Sequence, residues 1–169
     1  MQRPLVAVLV AVLAAACTSA PSPTPNPPTA SASAARLAVN GSGDFCGPWW
    51  FGCGAYLLIE APGWKFSRDW VPTAQDTQFT VVSDISEKEP TRVTGVMHLA
   101  RDWIEPGVYR LAVIETNTSD TTSNGQPPKI EAFLQCEDDL TIDPGVRSVS
   151  IAVTFVPGGC TIAISKATR

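Results

Sequence analysis

Hydrophobic side chains at every second position constrain this chain more than any other feature. Val149, Ile151, Val153 and Phe155 alternate with Ser148, Ser150, Ala152 and Thr154; Tyr109, Leu111 and Val113 alternate with Arg110 and Ala112. A period of two sends successive side chains to opposite faces of an extended backbone, so each run reads as a strand. Residues 55–59, 77–82, 92–99, 129–136 and 160–165 are further short runs rich in β-branched or aromatic side chains. Between the runs stand Ala61-Pro62-Gly63, Glu105-Pro106-Gly107, Asn124-Gly125, Asp143-Pro144-Gly145 and Pro157-Gly158-Gly159. Proline presets φ and glycine accepts positive φ, so these are turns. A 3.6-residue period is confined to one turn near 100–104. Seven or eight strands at this spacing predict an all-β domain, built as a single antiparallel β-sandwich or a small barrel, with the sandwich expected.

The N-terminus is of a different kind. Arg3 precedes twelve residues, 5–16, without a polar side chain. A helix of that length reaches about 18 Å, short of the ~30 Å hydrocarbon core, so this is a signal-peptide h-region and not a membrane span. It ends in Leu13-Ala14-Ala15-Ala16-Cys17. That motif resembles the lipobox of bacterial lipoproteins, with Ala14 the one less typical choice. The resemblance implies cleavage before Cys17, diacylglycerol on its thiol and an acyl chain such as palmitate on its new amino group. Two or three acyl chains make a stable anchor, so the mature protein is expected on the extracytoplasmic side of a membrane or cell envelope. Residues 18–35 hold only small and turn-forming types plus one Asn, with five prolines within positions 21–28. Such a segment cannot bury apolar surface and serves as a solvated spacer leaning toward polyproline II. The chain thus divides into a signal peptide (1–16), a lipid-anchored linker (17–35) and one folded domain (36–169).

With Cys17 given to lipid, Cys46, Cys53, Cys136 and Cys160 remain, an even number in an exported chain and so two disulfides. Cys46–Cys53 with Cys136–Cys160 is the expected connectivity, and Cys53–Cys136 as an inter-sheet bridge is its competitor. The cysteine spacings and the lone His98 do not suit zinc. Ile104-Glu105-Pro106-Gly107-Val108-Tyr109-Arg110-Leu111 looks like the strand entry of prealbumin-like and carboxypeptidase-regulatory-like extracellular sandwiches, and the stretch from Cys136 to Ile162 resembles the C-terminal strand pair of small exported bacterial domains. These resemblances imply an Ig-like or prealbumin-like sandwich and carry no catalytic residue.

Function is bounded mainly by exclusion. Twelve Lys and Arg against sixteen Asp and Glu leave a charge of −4, which provides no basic footprint for nucleic acid. No G-x-S-x-G, H-E-x-x-H or P-loop occurs, and a strand-surface role is the ordinary reading of His98. Glu137-Asp138-Asp139 does not fit a calcium loop and is expected to be a solvated turn-rich segment. No cofactor, metal or catalytic residue is expected. Aromatic density is more suggestive: Phe45, Trp49, Trp50 and Phe51 fall within seven residues, and Trp64, Phe66 and Trp70 within another seven. Trp49 and Trp50, beside the expected Cys46–Cys53 loop, either plug one end of the domain or present a rigid ring to a glycan or protein ligand. The reading is an anchored, non-catalytic binding or structural module. A carbohydrate-binding module using Trp49 and Trp50, and a hydrolase or accessory subunit with an unrecognised site, are its alternatives.

Overall fold

The computed structural model describes residues 30–45, 53–82, 91–119 and 129–168. Cys17, the signal segment, Cys46, Trp49 and Trp50 lie outside the described residues, as does the Asn124-Gly125 turn. Among the described residues there are nine strands and no helix: β1 (Ala35–Asp44), β2 (Gly54–Glu60), β3 (Thr77–Val82), β4 (Arg92–His98), β5 (Trp103–Ile104), β6 (Gly107–Ser119), β7 (Lys129–Ile142), β8 (Val146–Val156) and β9 (Gly159–Thr168). The protein is all-β. The expected helical turn near 100–104 is a bend leading into β5.

The strands do not split into the two packed antiparallel sheets expected from the sequence. They form one sheet, in the order β7-β6-β2-β3-β4-β1-β8-β9 with β5 paired to β1, rolled until it nearly closes into a barrel. β1 is the reason. One edge runs parallel to β8, from Arg36 opposite Ser148 to Gly43 opposite Phe155. Its other edge pairs with β5 at Ala35 and Arg36 and with β4 at Gly43 and Asp44. A strand that uses both edges welds the β8–β9 hairpin to the remaining strands, and the β1–β8 pair is the one parallel pairing among the described strands.

The seam lies between β7 and β9, the two ends of the strand order. Cys136 and Cys160 close it as a disulfide, with Cα atoms 5.5 Å apart, which leaves no place for a Cys53–Cys136 bridge. Farther along, Lys166 Nζ donates to the Thr141 carbonyl at 2.8 Å. The Cys46–Cys53 bridge lies outside the described residues through Cys46.

Side chains follow the two-residue period into the barrel. Val149, Ile151, Val153 and Phe155 of β8 are buried, and their alternating neighbours are exposed. Phe45, Phe79 and Phe155 meet edge to face, with centroids 5.0 and 5.4 Å apart, an arrangement that suits the ring quadrupoles. Full burial of each such ring stabilises by roughly 1.5–3 kcal/mol. Glycine is required where β1 passes this cluster: a Cβ on Gly41 would lie 2.4 Å from Phe79 Cδ1, and one on Gly43, at φ +116°, would lie 2.2 Å from the Phe155 carbonyl oxygen.

β6 departs from simple alternation because it is buried on both faces. Leu111 and Val113 point into the barrel, whereas Ala112 and Ile114 belong to a second, outer cluster with Leu58 and Ala132. Leu134 and Cys136 of β7 are paired with the adjacent Ile114 and Val113, so Gln135 is an extra residue forming a bulge. The acids Glu137, Asp138 and Asp139 sit within β7 and not in a loop. The sequence gives them no apolar alternation, but cross-strand Arg110 pairs with both Glu137 and Asp139 and holds the strand regular.

Candidate functional site

The outer cluster explains how the site is built. The β2–β3 connection, residues 61–76, turns at Pro62-Gly63, where Gly63 takes φ +85° and Trp64 N donates to the Ala61 carbonyl at 3.2 Å. It then lies back over the outside of the sheet. Trp64, Phe66 and Trp70 pack on Leu58, Ala112, Ile114 and Ala132. Trp70 meets Tyr56 edge to face at 5.5 Å. Burial there pushes the Tyr56 hydroxyl above its usual value, and a hydrogen bond with Thr116 works the other way. The second aromatic group noted in the sequence thus covers apolar sheet surface.

The connection ends in a tight turn locked by one carboxylate. Asp76, buried, accepts from Thr73 N at 2.7 Å and from Thr73 Oγ1 at 2.8 Å. Opposite this turn runs the segment from β4 to β5. Arg101 Nη2 donates to the Ile59 carbonyl at 3.1 Å, Leu37 N donates to the Asp102 carbonyl at 2.8 Å, and Ala100 N donates to Thr77 Oγ1 at 3.3 Å. The β4–β5 segment is thus fastened to the barrel by hydrogen bonds. The 61–76 connection is fastened by the packing of Trp64, Phe66 and Trp70 and by His98 Nε2, 3.2 Å from the Ala74 carbonyl oxygen, the kind of support that keeps a site in one geometry.

Between them is a cleft of about 700 Å³, lined in part by the half-buried Trp70 and Trp103. Glu60, Asp102, Arg101 and Gln75 supply polar groups along its walls. Its size and mixture of aromatic and convergent polar side chains fall in the range of small-molecule sites. A second hollow of about 610 Å³, beside β1, β8 and β9, is lined half by Ala and Ser and otherwise by Leu37, Val149 and the charged Arg36, Asp102 and Lys166, with no aromatic ring.

Of the residues the sequence singled out, Trp70 lines the cleft, His98 reaches the lining residue Ala74, and Cys53 is remote; Trp49 and Trp50 lie outside the described residues. Cys53 directly precedes β2 and Glu60 ends it, about 20 Å apart at the usual strand rise. Cys53 Sγ lies 3.3 Å from Asn117 Oδ1, near half-buried Glu115, whose carboxyl accepts from Gln135 Nε2 at 2.8 Å. Burial raises the Glu115 carboxyl above the usual range, against the effect of its hydrogen bond with Asn117. His98 is exposed on β4, its Nε2 3.2 Å from the Ala74 carbonyl oxygen. Among the described residues no group of three or more His, Cys, Asp or Glu side chains is arranged to hold a metal. Comparison with protein-family models, with curated proteins and with solved structures gives no match.

Sequence reasoning missed Trp103, Glu60 and Asp102. The only signal available was the run Arg101-Asp102-Trp103, in which an aromatic residue stands directly after a charge pair, outside any apolar alternation.

Proposed function

We propose that this chain is a membrane-anchored extracytoplasmic lipoprotein whose all-β domain is a non-catalytic binding module, and that its ligand occupies the cleft between Trp70 and Trp103. The observation that carries the binding role is the cleft itself. Trp70 and Trp103, from two separate segments, line a shared space together with hydroxyl, amide and charged residues. The anchor rests on the lipobox resemblance at Cys17. Absence of the familiar catalytic motifs from the sequence, and the engagement of the single imidazole with a backbone carbonyl, favour binding over turnover.

The aromatic and polar lining also suits a sugar-sized ligand, so a carbohydrate-binding role moves from the Trp49 and Trp50 segment to this cleft. The test is calorimetric screening of the purified full chain in detergent against small sugars and amines, repeated with Trp103→Ala. Trp103 is half-buried on a two-residue strand, so its loss should spare the fold, as a urea titration would verify. Binding that disappears in Trp103→Ala supports the reading; binding unaffected by that change refutes it.

A further inference from the structure

The charges of the cleft are unbalanced in a specific way. Three carboxylates line it, those of Glu60, Asp76 and Asp102. Asp76 is consumed by Thr73. Glu60 and Asp102 have no side-chain hydrogen bond or ion pair among the described residues. The cation in cross-strand register with Glu60 is Arg110, and it is taken instead by Glu137 and Asp139. Arg101, the only cation lining the cleft among the described residues, directs its guanidinium to the Ile59 carbonyl. Two uncommitted carboxylates therefore share a concave space with two indoles.

A neutral ligand filling that space would strip water from half-buried Glu60 and return no counter-charge to it or to exposed Asp102, which is costly. An anion would add repulsion. A compact organic cation offsets the loss twice, through the carboxylates and through the negative faces of the indoles. Resting on the cleft as the binding site, we infer that its ligand carries an ammonium group, seated between Trp70 and Trp103 and held by Glu60 and Asp102. The chain's net charge of −4 favours approach of such a ligand.

Three probes test this by calorimetry on the full chain in detergent at about pH 6.5, where amines of this class are protonated. Choline presents a quaternary ammonium, glucosamine a primary one on a sugar ring, and N-acetylglucosamine the same ring without charge. Binding of choline or glucosamine, with N-acetylglucosamine silent, is expected; which of the two binds distinguishes a headgroup-like ligand from an amino sugar. Glu60→Gln and Asp102→Asn keep the shape of each side chain and should each weaken binding about tenfold. N-acetylglucosamine binding as tightly as glucosamine, indifferent to both substitutions, would overturn the cationic ligand and leave the cleft as the binding site. Cation binding unchanged in both variants would overturn it equally. Silence from all three probes would overturn the inference and the cleft reading together.

Discussion

Removing the clasp of the barrel has a magnitude that can be worked out beforehand. β8 and β9 are paired from Val146 opposite Thr168 to Val156 opposite Gly159, whereas β7 and β9 meet at the seam without belonging to one ladder. The Cys136–Cys160 bridge, with a sequence separation of 24, closes a loop of about 25 residues. Restricting that loop in the unfolded chain corresponds to roughly 3.5 kcal/mol in the loop-entropy model. At about 2 kcal/mol/M, typical for urea and a domain of this size, the midpoint of the Cys136→Ala/Cys160→Ala double variant should fall by nearly 2 M. Its melting temperature should fall by about 10–15 °C. The assay is urea unfolding of the oxidised full chain beside the double variant, followed by circular dichroism. A loss below about 1 kcal/mol would refute the reasoning, because the seam would then hold without its covalent link.

Other outcomes follow from single positions. Gly43→Ala should cost about 3 kcal/mol or more, because it combines positive φ with a Cβ placed against the Phe155 carbonyl; Gly63→Ala, at φ +85° with no neighbour within 4 Å, should cost only about 1 kcal/mol, and equal losses in urea would contradict the contact argument. Glu115 holds its proton more tightly folded than unfolded, so its contribution is present at low pH and is lost as pH rises from about 4.3 through its raised folded value. Wild type should therefore lose stability relative to Glu115→Gln as pH rises above about 4.3, and parallel urea midpoints over that rise would contradict the assignment. Cys17→Ser should leave the domain folded but move the protein from the detergent phase to the aqueous phase on partitioning. Retention in the detergent phase would remove the lipid anchor from the account.

Much of the fold was legible because strand burial imposes a period that the sequence displays directly. Val149 to Phe155 alternate in sequence and in burial, and the Pro-Gly turns at 62–63 and 144–145 take positive φ at Gly63 and Gly145. How the strands assemble was less legible. Nothing in residues 35–44 announces that both edges of β1 will be paired, one of them parallel, and that fact turns an expected pair of sheets into one rolled sheet. The acids 137–139 read as a loop because their partner, Arg110, is 27 to 29 residues away. The candidate site was hidden for a related reason. Trp70 belonged to a visible aromatic group, but Trp103 stands 33 residues later, and only the fold-back of the β2–β3 connection sets the two beside one cleft.

The most direct test of the account uses the five tryptophans as position markers. Each indole N–H gives its own signal in a proton–nitrogen correlation spectrum, assignable by single Trp→Phe variants. The full chain would be titrated with choline and, separately, with glucosamine. The account predicts that the Trp70 and Trp103 signals move together and saturate, while those of Trp49, Trp50 and Trp64 hold their positions. Shifts confined to Trp49 and Trp50, or an unperturbed Trp70 and Trp103 pair, would contradict it.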